Sequence, residues 1–300
     1  MVIGAAVSLI RRQGAEALRA ALAGDEQLRP EDLATPDDPG LFGPASVAWR
    51  VHGDSAMLIG GLRALMLQTL HPLAMAGVAD HSDYRHDPWG RLHRTGRFIG
   101  ATTYGRTGTA EQTIDMIRSV HDRVEGTAPD GRPYSANDPH LLLWVHVTEV
   151  DSFLTAYRRY GAGKLTDAEQ DRYVAEMAEV GSRLGADDAP VSRRELAESL
   201  EMFRPECRLD DQARDCMRFL LLPPVPLVTL GAYGVISAAA IAMLPAWAQL
   251  MLRMPVLPGV DPLAIRPAAT MLTRTIGWLM SGTRSHDLAE GMLADRMLID

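Results

Sequence analysis

Lysine is almost missing from this chain. Of 30 basic side chains only Lys164 is a lysine, and the rest are arginines. They form no basic tract, and the net charge is −8, so the chain carries no nucleic-acid footprint. Two cysteines, Cys207 and Cys216, are too few for a disulfide framework and show no Cys-x-x-Cys spacing. They read as buried, reduced thiols of a cytoplasmic protein. Aromatic residues make up only 6% of the chain, which leaves Leu, Ala, Met and Val to fill the interior. Alternating β-branched runs are scarce, which argues against a sheet-based fold. No Gly-x-Ser-x-Gly elbow, P-loop or dinucleotide fingerprint occurs, so the commonest hydrolase and nucleotide-binding classes have no support. The apolar stretch Met1–Ile10 precedes Arg11-Arg12, the reverse of a secretory leader.

What is present is helical punctuation. At 300 residues and 47% hydrophobic, the chain can bury a substantial core. Asp54 or Ser55 starts an apolar run through Leu70, and Pro88 opens another that reaches Thr102. Thr109 with Gln112, Thr166 with Glu169, and Ser192 with Glu195 match the capping box. Asp138-Pro139 opens a long helix that stops near Gly161, a residue suited to a left-handed cap. The expectation is an all-α fold of roughly ten helices. Residues 1–36 form an N-terminal amphipathic helix, through about Leu22, and a connector; residues 37–300 form one large multi-helix domain. Stretches 37–44 and 126–137 read as loops. Phe219 to Leu252 carries no charge and is long enough for a bilayer span, but it holds Pro223, Pro224, Pro226 and Pro245. Buried helices, or helices lying on a membrane surface, fit it better than a span.

Helical spacing puts Arg91, Arg94, Thr95, Phe98 and Thr102 on one face of the helix opened by Pro88. Arginines on a helix are usually solvated, yet here they share the face with an aromatic ring and hydroxyls. The next helix carries Ile114, Ile117, Val120, His121 and Val124 as its apolar stripe, so His121 points inward. Taken alone, it reads as an ordinary core histidine. His146 lies on a helix apolar nearly all round, with Glu149 three residues on. Its plainest reading is a buried ring bonded to Glu149, Asp151 or Ser152. His71, before Pro72, can bond the last carbonyls of its helix. The loop Asp80-His81-Ser82-Asp83, with His86 and Asp87, reads as a polar connection with its own turn bonds.

Several segments in order resemble the MpaB-like oxygenases. They include Gly43-Pro44, Trp49-Arg50, Leu70-His71-Pro72 and His81-Ser82-Asp83. Asp87-Pro88-Trp89-Gly90 then leads into Arg91-Leu92-His93-Arg94-Thr95. Val120-His121, Trp144-Val145-His146, Asp151-Ser152-Phe153 and the proline-rich segment after Phe219 continue the likeness. That family includes the latex-clearing proteins, rubber oxygenases with b-type haem. The resemblance implies His121 as the iron ligand, with Arg91, Arg94 and Thr95 on the opposite, distal side. Arg91 and Thr95 would hydrogen-bond the oxygen species. The family motif is Arg-x-x-Lys-Thr, and Arg94 stands where it has lysine. An arginine keeps the charge but is no deprotonatable amine, which argues against rubber cleavage itself. Those enzymes also use a distal glutamate as base, for which His81 and Asp83 are the positional candidates here.

The expected function is a haem-b-dependent oxygenase acting on a hydrophobic, isoprenoid-like small molecule. Dioxygen or peroxide would be co-substrate, in a cytoplasmic protein with peripheral membrane contact. The competing readings are a haem peroxidase, a helical binding or membrane-associated protein with structural histidines, and a non-haem metal enzyme. The last would be built on His146, Glu149 and the His81 loop.

Overall fold

A computed structural model describes residues 28–224, 227–254 and 259–280. The helix expected through Leu22 lies outside the described residues. Five helices come first: α1 (Val47–His52), α2 (Met57–Gln68), α3 (Pro72–His81), α4 (Pro88–Tyr104) and α5 (Thr107–His121). A small antiparallel hairpin follows, β1 (Glu125–Thr127) with β2 (Pro133–Ser135). Then come α6 (Pro139–Tyr160), α7 (Asp167–Leu184), α8 (Arg193–Phe203) and α9 (Asp211–Leu221). The last three described are α10 (Leu227–Ala242), α11 (Ala246–Met251) and α12 (Arg266–Met280). The fold is all-α. Among the described residues a small hairpin departs from expectation, occupying part of the stretch that reads as a loop.

Caps set the helix boundaries. Thr166 and Glu169 form the full capping box of α7. Ser192 accepts from Glu195 N at the start of α8, while Glu195 turns its carboxylate to Val191 N. Asp138 caps α6, which ends at Tyr160 as the sequence implies. Gly161, however, is extended (φ −62°) rather than left-handed; Gly185 after α7 takes the left-handed cap (φ 103°). Thr109 caps nothing, because α5 begins two residues earlier. Its first N–H, from Thr107, is taken by Asp38 at 3.1 and 3.2 Å, from the distant 37–44 loop.

The core is built around α2 and α6. Gly60 lets them approach closely: a Cβ there would stand 2.9 Å from Phe153 Cδ1 and 3.1 Å from Ser152 O. Trp144, Leu67, Val147 and Phe203 are almost fully enclosed nearby. One cation sits inside this packing. Arg63, 3% exposed, donates to Met243 O at 2.9 Å and Ser152 Oγ at 2.7 Å, and pairs with Asp151 at 2.7 Å.

The uncharged segment resolves into the end of α9, then α10 and α11. No described helix is long and apolar enough to cross a membrane. Ala239, Ala240, Leu244 and Ala248 of this segment are buried, whereas Leu222 and Leu250 are exposed.

Candidate active site

Helices α4 and α5 pack on each other as a hairpin, joined through Gly105-Arg106. That turn is fastened by Arg106 Nε donating to Leu33 O and by Asp38 accepting from the Thr107 hydroxyl at 2.7 Å. Arg91, Arg94 and Thr95 lie in the half of α4 remote from the turn, and His121 is the last residue of α5.

The three residues of the α4 motif differ in surroundings. Arg91 is half-buried and has no ion-pair partner among the described residues. Burial lowers its pKa, partly countered by Cys216 of α9 and by Tyr84. Arg94 is exposed and pairs with Asp87, Nη1 to Oδ2 at 3.3 Å. Thr95 is exposed as well, and its hydroxyl donates to Arg91 O at 3.1 Å. Phe98 and Ile99 pack against the main core, and Thr102 is buried. The expected face therefore turns inward at Arg91, Phe98 and Thr102, and outward at Arg94 and Thr95.

His121 is half-buried. Its Nδ1 is buried without a hydrogen-bond partner, and its Nε2 has none among the described residues. Burial lowers its pKa, so the ring is neutral near pH 7; Asp122 counters this only in part. Asn137 Nδ2 donates to Asp122 Oδ1 at 2.6 Å and to Arg118 O at 3.4 Å, seating the start of α6 against the last turn of α5. Along the stripe, Ile114 is buried and Ile117 half-buried, while Val120 is exposed at 41%.

Two turns into α6, His146 has a buried Nε2 with no partner, and burial brings its pKa down to about 4. The hydrogen bond expected for this ring is not made: Asp151 and Ser152 both serve Arg63 instead. The ring lies against α7 at Gly181, where a Cβ would stand 2.8 Å from Nδ1. Glu149 is half-buried, and desolvation raises its pKa to about 7. His52 shows the contrast. Its Nδ1 meets Thr103 Oγ1 at 2.7 Å and its Nε2 meets Tyr173 OH at 3.0 Å, so both nitrogens are committed.

The remaining histidine candidates have hydrogen-bond partners. His86 Nδ1 meets Asp83 at 2.5 Å within the loop, as expected, whereas His81 Nε2 leaves it to meet Glu125 O of β1 at 3.1 Å. His71 caps the start of α3 instead of closing α2, with Ala74 N donating to its Nδ1 at 3.5 Å. Cys207 and Cys216 are free and buried.

Chemically, a neutral imidazole with uncommitted nitrogens can ligate a metal, and a desolvated guanidinium without a counter-ion can receive an anion. Residues 49–278 match the family model described as "ER-bound oxygenase mpaB/B'/Rubber oxygenase, catalytic domain". Comparison with curated proteins and with solved structures found no match.

Proposed function

The chain belongs to the family of mpaB and rubber oxygenase catalytic domains, an oxygenase family; on that premise we propose that it is a haem-b enzyme oxygenating a hydrophobic, isoprenoid-like small molecule. One observation carries this reading. His121 has both ring nitrogens uncommitted, and Arg91 on the packed partner helix is desolvated and without a counter-ion among the described residues. These residues fit the group: an imidazole to hold iron and a cation for an anionic substituent. Haem b held at His121 would supply a redox-active iron for reaction with dioxygen.

The protein's own groups do the rest. His121 anchors the group from the end of a helix braced through Asn137. Arg91 places a fixed positive charge in a low-dielectric setting, where it can pair with a propionate or stabilise negative charge developing on oxygen. Arg94 and Thr95 reach such a site only by giving up their bonds to Asp87 and Arg91 O. In this reading Arg91 therefore has the larger part. Since Arg94 cannot act as an amine base, the substrate is a small lipophilic molecule in place of rubber.

The visible spectrum tests the proposal. Full-length protein supplied with haem is expected to show a Soret band that His121→Ala loses, with oxygen consumed in turnover instead of peroxide. A wild-type protein that stays colourless with added haem sinks the reading. Peroxide consumption without oxygen uptake would replace it with a peroxidase.

A further inference from the structure

Three further side chains, from separate elements, converge on one point. His71 stands at the start of α3, fully buried against Trp144 and Phe203, with ring centroids 5.9 and 6.2 Å away. His140 is the second residue of α6, and its ring lies 4.5 Å from that of Phe203. Glu206 closes the short turn Arg204–Glu206 after α8. Its Oε2 is 3.3 Å from His71 Nε2 and 3.1 Å from His140 Nε2, and its Oε1 is 2.9 Å from His140 Nε2. One donor atom from each residue lies within 4.8 Å of both others.

We propose that His71, His140 and Glu206 form a mononuclear site for a divalent transition-metal ion, separate from the haem ligand and independent of the haem reading. With metal–ligand bonds of about 2.0–2.2 Å, neighbouring donors in a tetrahedral or octahedral sphere stand roughly 3.0–3.5 Å apart. The nitrogen–oxygen separations here, 2.9 to 3.3 Å, fall close to that range. Two imidazoles and a carboxylate suit zinc or ferrous iron, and as a set of three they leave coordination positions open. His140 and Glu206 keep part of their surface accessible, at 45% and 35%, so water can complete the sphere.

His71 turns its Nε2 toward Glu206, inside the cluster. The bond from Ala74 N to its Nδ1 is at the 3.5 Å limit, so it holds that nitrogen only weakly as an acceptor. Ligation through Nε2 puts the proton on Nδ1 and gives up this weak cap. Arg132, a cation whose charge reaches His71, is engaged by Asp130 at 2.9 Å. The aromatic wall of Trp144 and Phe203 fixes the His71 ring, supplying the rigidity that a site assembled from three elements needs.

Calorimetric titration of untagged, chelator-dialysed full-length protein with zinc tests the proposal. One equivalent is expected to bind, with affinity falling on the order of a hundredfold in His140→Ala and in Glu206→Gln. Zinc should also raise the melting temperature of wild type, and of His121→Ala, but not of the two site variants. His140 is half-exposed, so its variant should fold even if Glu206→Gln does not. Absence of zinc binding, or equal affinity in wild type and His140→Ala, overturns the site. Neither result bears on the Soret band, so the two readings fail separately.

Discussion

Glu149 shows how one buried carboxyl couples the interior to pH. Its pKa of about 7 lies above the ordinary value of 4.5 because desolvation penalises the charged form. The folded state therefore holds its proton over a range where the unfolded chain has released it. Stability falls as pH rises from about 4.5 to about 7, and the penalty is complete above that. Glu149→Gln should thus stabilise the protein at pH 8, on the order of 3 kcal/mol, and have little effect at pH 4.5. Urea unfolding at the two pH values measures this, and an equal gain at both would reject burial as the cause. The residue types of the interior were legible in the sequence, since His121 and His146 stand on apolar helix faces. Their partners were not. Asp151 and Ser152 are taken by Arg63, a residue far away in the chain that no local spacing connects to them.

At the scale of elements, local signals succeeded where the cap lies beside its helix. Thr166 with Glu169 and Asp138 with Pro139 act within a few residues, and both appear as the sequence implies. Helix α5 fails the same test because its cap comes from Asp38, whose loop carries no helix signal of its own. Asp38→Ala is expected to cost about 1–2 kcal/mol and to loosen the turn joining the two helices that carry Arg91 and His121. Thermal melts give the stability change. Amide exchange at Thr107 and Gly108 should speed up, and unchanged exchange there would show that the cap is dispensable. The metal cluster was missed for a related reason. His71 and His140 each adjoin a proline at a helix start, but Glu206 comes from a third element, and only packing brings them together.

Across the whole molecule, helix content and the interruption of the 219–252 run could be read in advance, because prolines and caps are written locally. The pairing of helices could not, since Ala- and Leu-rich faces are nearly interchangeable. The surface left by that pairing bears on the peripheral membrane contact expected from the sequence. Met271 and Trp278 are exposed at 70% and 47%, beside Arg266 and Arg274. Such a face suits the interface of an anionic bilayer. The protein is expected to co-sediment with phosphatidylglycerol-containing vesicles, and Met271→Asp should lower the bound fraction severalfold. Equal sedimentation of the two proteins would remove this face from the contact.

Interchangeable faces raise the question of what selects one helix register, and Arg63 supplies an answer. Its guanidinium reaches Asp151 and Ser152 on α6 and the carbonyl of Met243 just beyond α10. If α6 slipped one turn along α2, the apolar contacts could re-form with other side chains, but the cation would be stranded in the core. Breaking a buried pair in this way costs about 3–5 kcal/mol. Arg63 thus works as an alignment key, rejecting misregistered assemblies that hydrophobic packing alone would tolerate.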